Sequence, residues 1–491
     1  MCDSVFKSVF LLSIDVGTSG VRAALFDERG SETIATQARK RGEGALSDLG
    51  EFDPEALVHE VISTIDELFV TFATGSIQYI AISTFWHSLV GVDRDGQPTT
   101  PLLTWADTRA AQDAKDLRLA FDEREIHART GCRFHASYWP AKLRWLRREL
   151  PDRFATTRQW LGFGEYLCLR LFGETAAGVS LASATGLFNQ RTCEWDTDFV
   201  NEIGVSLDAL PEINDSNPRL AWSFRQRWPA LAEARLAVVA GDGATNNIGA
   251  GCSTKERVAL MIGTSGAMRV VCKDGPPDQL PSALWSYRVN RDRVAVGGAL
   301  SDGGGLFRWL TESLNLENLD ELAALEPDTH GLTILPFWSG ERSTGWSPDA
   351  RSVILGLRHN TRPVEIVRAA LEAIAYRFAL ITRALDTIAP DATVIASGNA
   401  LRSSPVWIQI LADVLARPIA LAPVAEASIR GAALLALEAV GKIAAIEEVS
   451  VSTAEVFEPG VFQPDMARHA RYREGLLRQE ELYDRLFGRT G

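Results

Sequence analysis

Phe10-Leu11-Leu12-Ser13-Ile14 runs into Asp15-Val16-Gly17-Thr18-Ser19-Gly20, and a second apolar run, Val21 to Phe26, follows at once. This reads as a strand, a tight glycine-bounded loop and a returning strand. Asp27-Glu28-Arg29-Gly30 then makes a turn before a third strand candidate, Thr33 to Ala38. The same order recurs much later: Val258 to Ile262, then Gly263-Thr264-Ser265-Gly266, then Ala267 to Cys272, then Lys273-Asp274-Gly275. Gly263 stands 246 positions after Gly17, half the length of the 491-residue chain. One repeated tetrapeptide means little, but its recurrence with the same flanking strands points to two related domains facing each other. Such a loop offers backbone N–H groups and small hydroxyls with no bulky side chain in the way, as phosphate oxygens require. Two of them, one per domain, can hold a triphosphate between them; two ordinary hairpin turns are the plain alternative.

Helical and strand periods alternate along the rest of the chain. Asp53-Pro54-Glu55 is an N-cap followed by proline at the first helical position, and Leu57, Val58, Val61, Ile62, Ile65, Leu68 and Phe69 share one helical face. Ile80 to Ile82 and Leu89 to Val92 read as strands. In the second half Pro363 to about Thr387 reads as a long helix, Val394 to Ala396 as a strand, Pro405 to Leu415 as a helix, Ile419 to Leu421 as a strand and Ser428 to Val440 as a helix. The fold class is therefore α/β, with mixed sheets flanked by helices. The length argues for two domains, divided near Val239 to Cys252 into residues 1–245 and 246–491.

Composition excludes several classes. A hydrophobic share of 46% and a charged share of 23% are ordinary for a soluble protein. A net charge of −13 argues against nucleic acid or an anionic membrane as partner, so any anionic ligand must be held by local donors. No apolar run approaches the ~18 residues of a membrane span, and the start lacks the regions of a signal peptide. The six cysteines form no CxxC pair and read as structural thiols in a reducing, cytoplasmic setting. Oligomeric state stays open, a homodimer included.

Four places carry candidate chemistry. Asp242 lies between Gly241 and Gly243 after the apolar strand Leu236 to Ala240, exposed and approachable, as suits a general base that accepts a hydroxyl proton; a turn aspartate is the plain alternative. Asp15 ends the first strand beside the first loop, where one carboxylate suits Mg²⁺ or its water shell; its equivalent in the second copy is Met261. His87, with Ser88, and Trp105-Ala106-Asp107-Thr108-Arg109 supply imidazole, aromatic, carboxylate and guanidinium groups that suit a polyol, although a satisfied buried histidine and a surface Asp–Arg pair read equally well. Trp285 and Arg288 are further candidates to touch substrate. No Walker loop, no GxGxxG after a first strand, no zinc-spaced cluster and no GxSxG elbow occurs.

With these segments in order, the sequence resembles the FGGY carbohydrate kinases of the actin/Hsp70/hexokinase-like superfamily. The matching segments include Ile14 to Ser19, Trp105 to Arg109, Lys142 to Leu146, Gly241 to Ala244, Gly263 to Gly266, Gly297-Gly298-Ala299, Gly303-Gly304, Gly340-Glu341-Arg342 and Ser397-Gly398-Asn399, with Ser352 to Leu357 and Ala369 to Glu372 in the C-terminal signature. The resemblance implies two ribonuclease-H-like domains closing over ATP and a sugar, with Mg²⁺. It implies Asp242 as base, Gly17, Thr18 and Ser19 with Gly263 and Thr264 at the phosphates, and Asp15 near the metal, through water. It also implies Gly304, Gly398 and Asn399 on the adenosine side, and His87, Trp105, Asp107 and Arg109, with Asp242, at the substrate. Within the family, His87-Ser88-Leu89, Leu103 to Arg109, Ile262 to Arg269 and Gly340 to Arg342 are most similar to gluconokinases, with xylulokinases next; Arg109 and Lys142 are then candidates to bind a carboxylate, or structural ion pairs. Trp86, Ser301-Asp302 and Asn399 depart from the usual pattern. An ATPase clamp that phosphorylates no sugar is the reading from another class, and it gives no reason for the Gly-Asp-Gly and Trp-Ala-Asp-Thr-Arg segments.

Overall fold

The computed structural model describes residues 9–30, 33–42, 45–72, 75–175, 177–316, 319–422, 426–449 and 460–488. The first sheet is made by β1 (Leu11–Gly17), β2 (Gly20–Phe26), β3 (Thr33–Lys40), β4 (Tyr79–Thr84) and β5 (Arg235–Gly241). Its spatial order is β5-β4-β1-β2-β3. β1, β2 and β3 form an antiparallel meander, whereas β1, β4 and β5 run parallel. The second sheet contains β6 (Arg257–Ile262), β7 (Gly266–Cys272), β8 (Trp285–Arg288), β9 (Val294–Leu300), β10 (Thr393–Ser397), β11 (Ile419–Leu421) and β12 (Val461–Phe462), in the order β8-β9-β7-β6-β10-β11-β12. Inside it, β9-β7-β6-β10-β11 repeats β3-β2-β1-β4-β5 in order and direction. The repeated sequence is thus a repeated topology, two α/β units of the same plan.

The helices form where their apolar stripes meet these sheets. In α1 (Pro54–Thr71), Asp53 caps the N-terminus by accepting from the N–H groups of Glu55 and Ala56, and Leu57, Val58, Val61, Ile65 and Leu68 are buried. In the long helix Pro363–Leu385, sixteen residues from Val364 to Leu385 are buried, which makes it the centre of the second core. Leu12, Ile14, Val16, Ile80, Ile82 and Leu161 belong to the core of the first.

The two units meet through helix α5 (Asp242–Gly249), which packs against helix α9 (Ala427–Ala439). No described helix is long and apolar enough to cross a membrane. Cys132, Cys168, Cys193, Cys252 and Cys272 are free and buried, and Cys2 lies outside the described residues.

Candidate active site

Parallel strands β1, β4 and β5 end side by side, with Asp15 registered against Ser83 and Thr84 against Gly241. Their C-terminal ends converge, the position where open α/β sheets collect ligands. Ser83 Oγ donates to Asp15 Oδ1 at 2.8 Å and lies 2.9 Å from Thr245 Oγ1, which donates in turn to the backbone carbonyl of Asp242 at 3.1 Å. The Asp15 carboxylate is thereby linked to the backbone of Asp242, whose own carboxylate acts on it by charge. Burial pushes the Asp15 carboxyl up to about 6, against the pull of Ser83 and of Arg22, whose Nη1 is 3.3 Å away. Burial also raises Asp242, against the pull of Arg269, the Gly243 and Trp86 N–H groups and Arg342.

Asp242 is not the exposed loop residue its glycines suggest: Gly241 ends the strand, and Asp242 opens α5 half-buried. The glycines are there for Trp86. A Cβ on Gly241 would come within 1.9 Å of the indole Nε1, and one on Gly243 within 2.3 Å of its ring and 2.4 Å of Arg269 Nη1. The indole is itself fixed by donating to the Ser180 carbonyl at 3.0 Å.

The two repeated loops are the tight turns β1–β2 and β6–β7. Gly17 pairs with Gly20, leaving Thr18 and Ser19 at the tip; Ser19 is exposed, and Arg41 supports the hairpin from behind by donating to the Gly17 and Ser19 carbonyls. Ile262 pairs with Gly266 across a three-residue turn with Thr264 exposed. Against this second turn lies the start of the helix Gly304–Ser313, where the Gly304 N–H donates to the Gly263 carbonyl at 2.8 Å and that of Gly305 to Thr264 at 3.0 Å. A Cβ on Gly304 would sit 2.5 Å from the Gly263 oxygen, and Gly398, at φ 97°, rests on Ile262. Three glycine segments distant in sequence thus pack against one another through their backbones. Asn399 opens a short helix, and its side chain is not among those described. Asp302 is pinned by the N–H and hydroxyl of Ser339, both at 2.9 Å, and burial pushes it up to about 6.

His87 adopts the left-handed φ of 62°, a conformation that costs about 1–3 kcal/mol for a side-chain-bearing residue and persists only where its surroundings fix it. Its Nδ1 is 2.8 Å from the Ala184 carbonyl, which assigns the proton there and leaves Nε2 as an acceptor facing Arg342 Nη2 at 3.5 Å. Burial holds this imidazole well below its usual range, so it is neutral at pH 7. Lys142 is buried and donates to the carbonyls of His87, at 2.8 Å, and Thr104, at 2.6 Å. It ties together the two loops that carry His87 and Trp105, and burial pulls it down to about 7. Arg109 is likewise committed, to Asp107 and Glu51, with its guanidinium 4.3 Å from the centroid of a Trp145 ring. Both cations read as candidates to bind a carboxylate are engaged by protein groups, Lys142 by two carbonyls and Arg109 by two carboxylates. Trp285 stacks on Tyr287 at 4.1 Å, whereas Arg288, in strand β8, is spent on the carbonyls of Gln190 and Arg291.

Ser83, Thr245, Tyr138 and Tyr287 did not stand out in the sequence, because hydroxyl residues are common and only tertiary pairing gives these a role. Arg269 and Arg342 appear there only inside longer matching segments. A charge within the otherwise apolar Gly266–Cys272 strand was the available signal for Arg269. A separate cavity of about 490 Å³, lined by Val238, Val239, Arg293 and Leu435 among others, contains none of the candidate residues.

The N-terminal domain model of the FGGY family of carbohydrate kinases matches residues 10–243, and the C-terminal domain model matches residues 258–440. The chain belongs to this family. A Bacillus subtilis (strain 168) gluconokinase is 28% identical to this FGGY kinase over 470 residues, 90% of each chain, and a glycerol kinase of Acidovorax ebreus (strain TPSY) is 30% identical over 467, covering 90% of this chain and 92% of the relative. Solved structures of a xylulose kinase and a gluconate kinase from Lactobacillus acidophilus share its fold, with TM-scores of 0.87 and 0.86 at 24% identity, each covering 97% of this chain and 98% of the other.

Proposed function

We propose that this FGGY kinase transfers the γ-phosphoryl group of ATP to a hydroxyl of a sugar acid, with D-gluconate as the preferred acceptor. The observation that carries the transfer is Asp242, a half-buried carboxylate at the meeting point of the two units, next to the strand end that bears Asp15. The gluconokinase relative supports the acceptor.

In this reading Gly17, Thr18 and Ser19 from one unit and Gly263 and Thr264 from the other hold the phosphates, while Gly304, Gly398 and Asn399 take the adenosine side. Closure of residues 1–245 on 246–491 aligns the reacting atoms and excludes water. Asp242 then accepts the proton of the attacking hydroxyl, and its raised pKa makes it a stronger base than an exposed carboxylate. His87 and Trp105 bound the acceptor, His87 through its unprotonated Nε2, and Asp107, Arg109 and Lys142 hold that wall rigid. Asp15 fits a Mg²⁺ position: it is the carboxylate beside the first hairpin, ionised above about pH 6. When bound there, directly or through water, the ion would neutralise phosphate charge.

A coupled ADP-release assay with Mg-ATP tests the acceptor, comparing D-gluconate, D-xylulose, glycerol and no acceptor. Selective turnover of gluconate is expected. Turnover of xylulose or glycerol alone would contradict the sugar-acid assignment, and ADP release indifferent to every acceptor would contradict the kinase reading.

A further inference from the structure

We propose that Arg269 and Arg342 form a two-guanidinium cradle for the substrate carboxylate, an assignment that rests on the sugar-acid reading above. Both arginines come from the C-terminal unit, and they are 3% and 8% exposed. Neither makes an ion pair with a carboxylate among the described residues, and the Nε of each is buried without a hydrogen-bond partner. Of the other buried arginines, Arg293 lies between Glu438 and Glu447, Arg368 on Glu372 and Arg377 on Glu341, while Arg288 is taken up by the carbonyls of Gln190 and Arg291. Burying a cation is costly unless it is paired, and Asp242, whose charge acts on both arginines, is one carboxylate for two guanidiniums, which leaves a place for a second anion.

Their positions say which anion. Arg269 shares a strand face with Ala267, and opposite it stands Gly297, where a Cβ would lie 2.6 Å from Arg269 Cγ; the glycine leaves room for the side chain. Its Nη1 lies along Gly243, beside the base. Arg342 faces His87 and stands 5.8 Å from the Trp105 ring centroid, on the wall assigned to the acceptor. Burial brings Arg269 down to about 10, the charge of Asp242 holding it up and that of Arg342 pushing it down. Asp242 does not serve both: its Oδ1 accepts the Gly243 N–H at 2.8 Å, and no hydrogen bond joins it to either arginine. A substrate carboxylate, two oxygens wide, matches two planar forks in a way that a neutral polyol cannot.

The test compares D-gluconate with D-gluconamide, its neutral isostere, in the wild type, Arg269→Gln and Arg342→Gln. The readout is the ratio of the two kcat/KM values, which is independent of how much of each variant is folded, together with KM for ATP. The preference for gluconate should fall roughly 100-fold in each variant with KM for ATP unchanged, and Arg342→Lys should recover part of it. A wild-type preference that survives both Gln substitutions overturns the cradle alone, as does a rise in KM for ATP with the preference intact, which would place the arginines on phosphate. A wild type that phosphorylates neither compound, or shows no preference between them, overturns the sugar-acid reading and the cradle with it.

Discussion

Trp86 and the two glycines around Asp242 form one device at the scale of single residues: an indole packs where two side chains are missing, beside a carboxylate whose proton affinity burial raises and the Trp86 backbone N–H lowers. Asp15 obeys the same physics with a measurable consequence. Its carboxyl moves from an ordinary 3.8 to about 6, so between those values the folded protein binds more proton than the unfolded chain. The stability associated with neutral Asp15 is complete below pH 3.8 and lost as pH rises through 6, a difference of about 3 kcal/mol. Asp15→Asn should therefore raise the melting temperature at pH 8 and leave it unchanged at pH 4, while lowering turnover at pH 8. A melting temperature lowered equally at both pH values would show that the carboxylate is stabilising.

Among the elements, the crossing of α5 and α9 matters most, because it joins the two units and orients Asp242. It is built on absent side chains: a Cβ on Gly249 would lie 1.8 Å from the Ala427 carbonyl oxygen, and one on Gly431 1.8 Å from that of Thr245. Both backbones approach as only glycine allows. Gly431→Ala should destabilise the protein by about 3 kcal/mol and lower activity with it, read by chemical denaturation and kcat on the same sample. Unchanged stability would mean that the helices part at no cost.

This scale also shows what could be read from the sequence. The strands, α1 and the helices Pro363–Leu385 and Pro405–Leu415 were legible, because period, caps and proline all agree there. The helix opening at Asp242 was not: Gly-Asp-Gly has turn chemistry, and only packing on α9 makes Asp242–Gly249 helical. Arg109 pairs with its sequence neighbour Asp107, but its second partner Glu51 and the two carbonyls that hold Lys142 are set by tertiary structure and could not be read from the sequence.

At the scale of the whole molecule, two units of one topology are joined by side chains distant in sequence. Tyr138 and Tyr287 share a hydrogen bond of 2.5 Å between their hydroxyls, His127 Nε2 lies 2.8 Å from the Leu284 carbonyl, and Arg118 donates to the carbonyl of Trp346 at 2.6 Å. These contacts join the N-terminal unit to the C-terminal unit, so closure and acceptor binding are coupled in this account. Its central claim is that Asp242 takes the proton of the hydroxyl to which the phosphoryl group moves. The most direct test follows ³¹P NMR of ATP with D-gluconate for the wild type and Asp242→Asn, with ATP affinity measured in parallel. The wild type should form a sugar-acid phosphate ester with stoichiometric ADP, and the variant should bind ATP normally while forming ester roughly 10³-fold more slowly. Ester formation by Asp242→Asn at a near-wild-type rate, or ADP without ester in the wild type, would contradict the account.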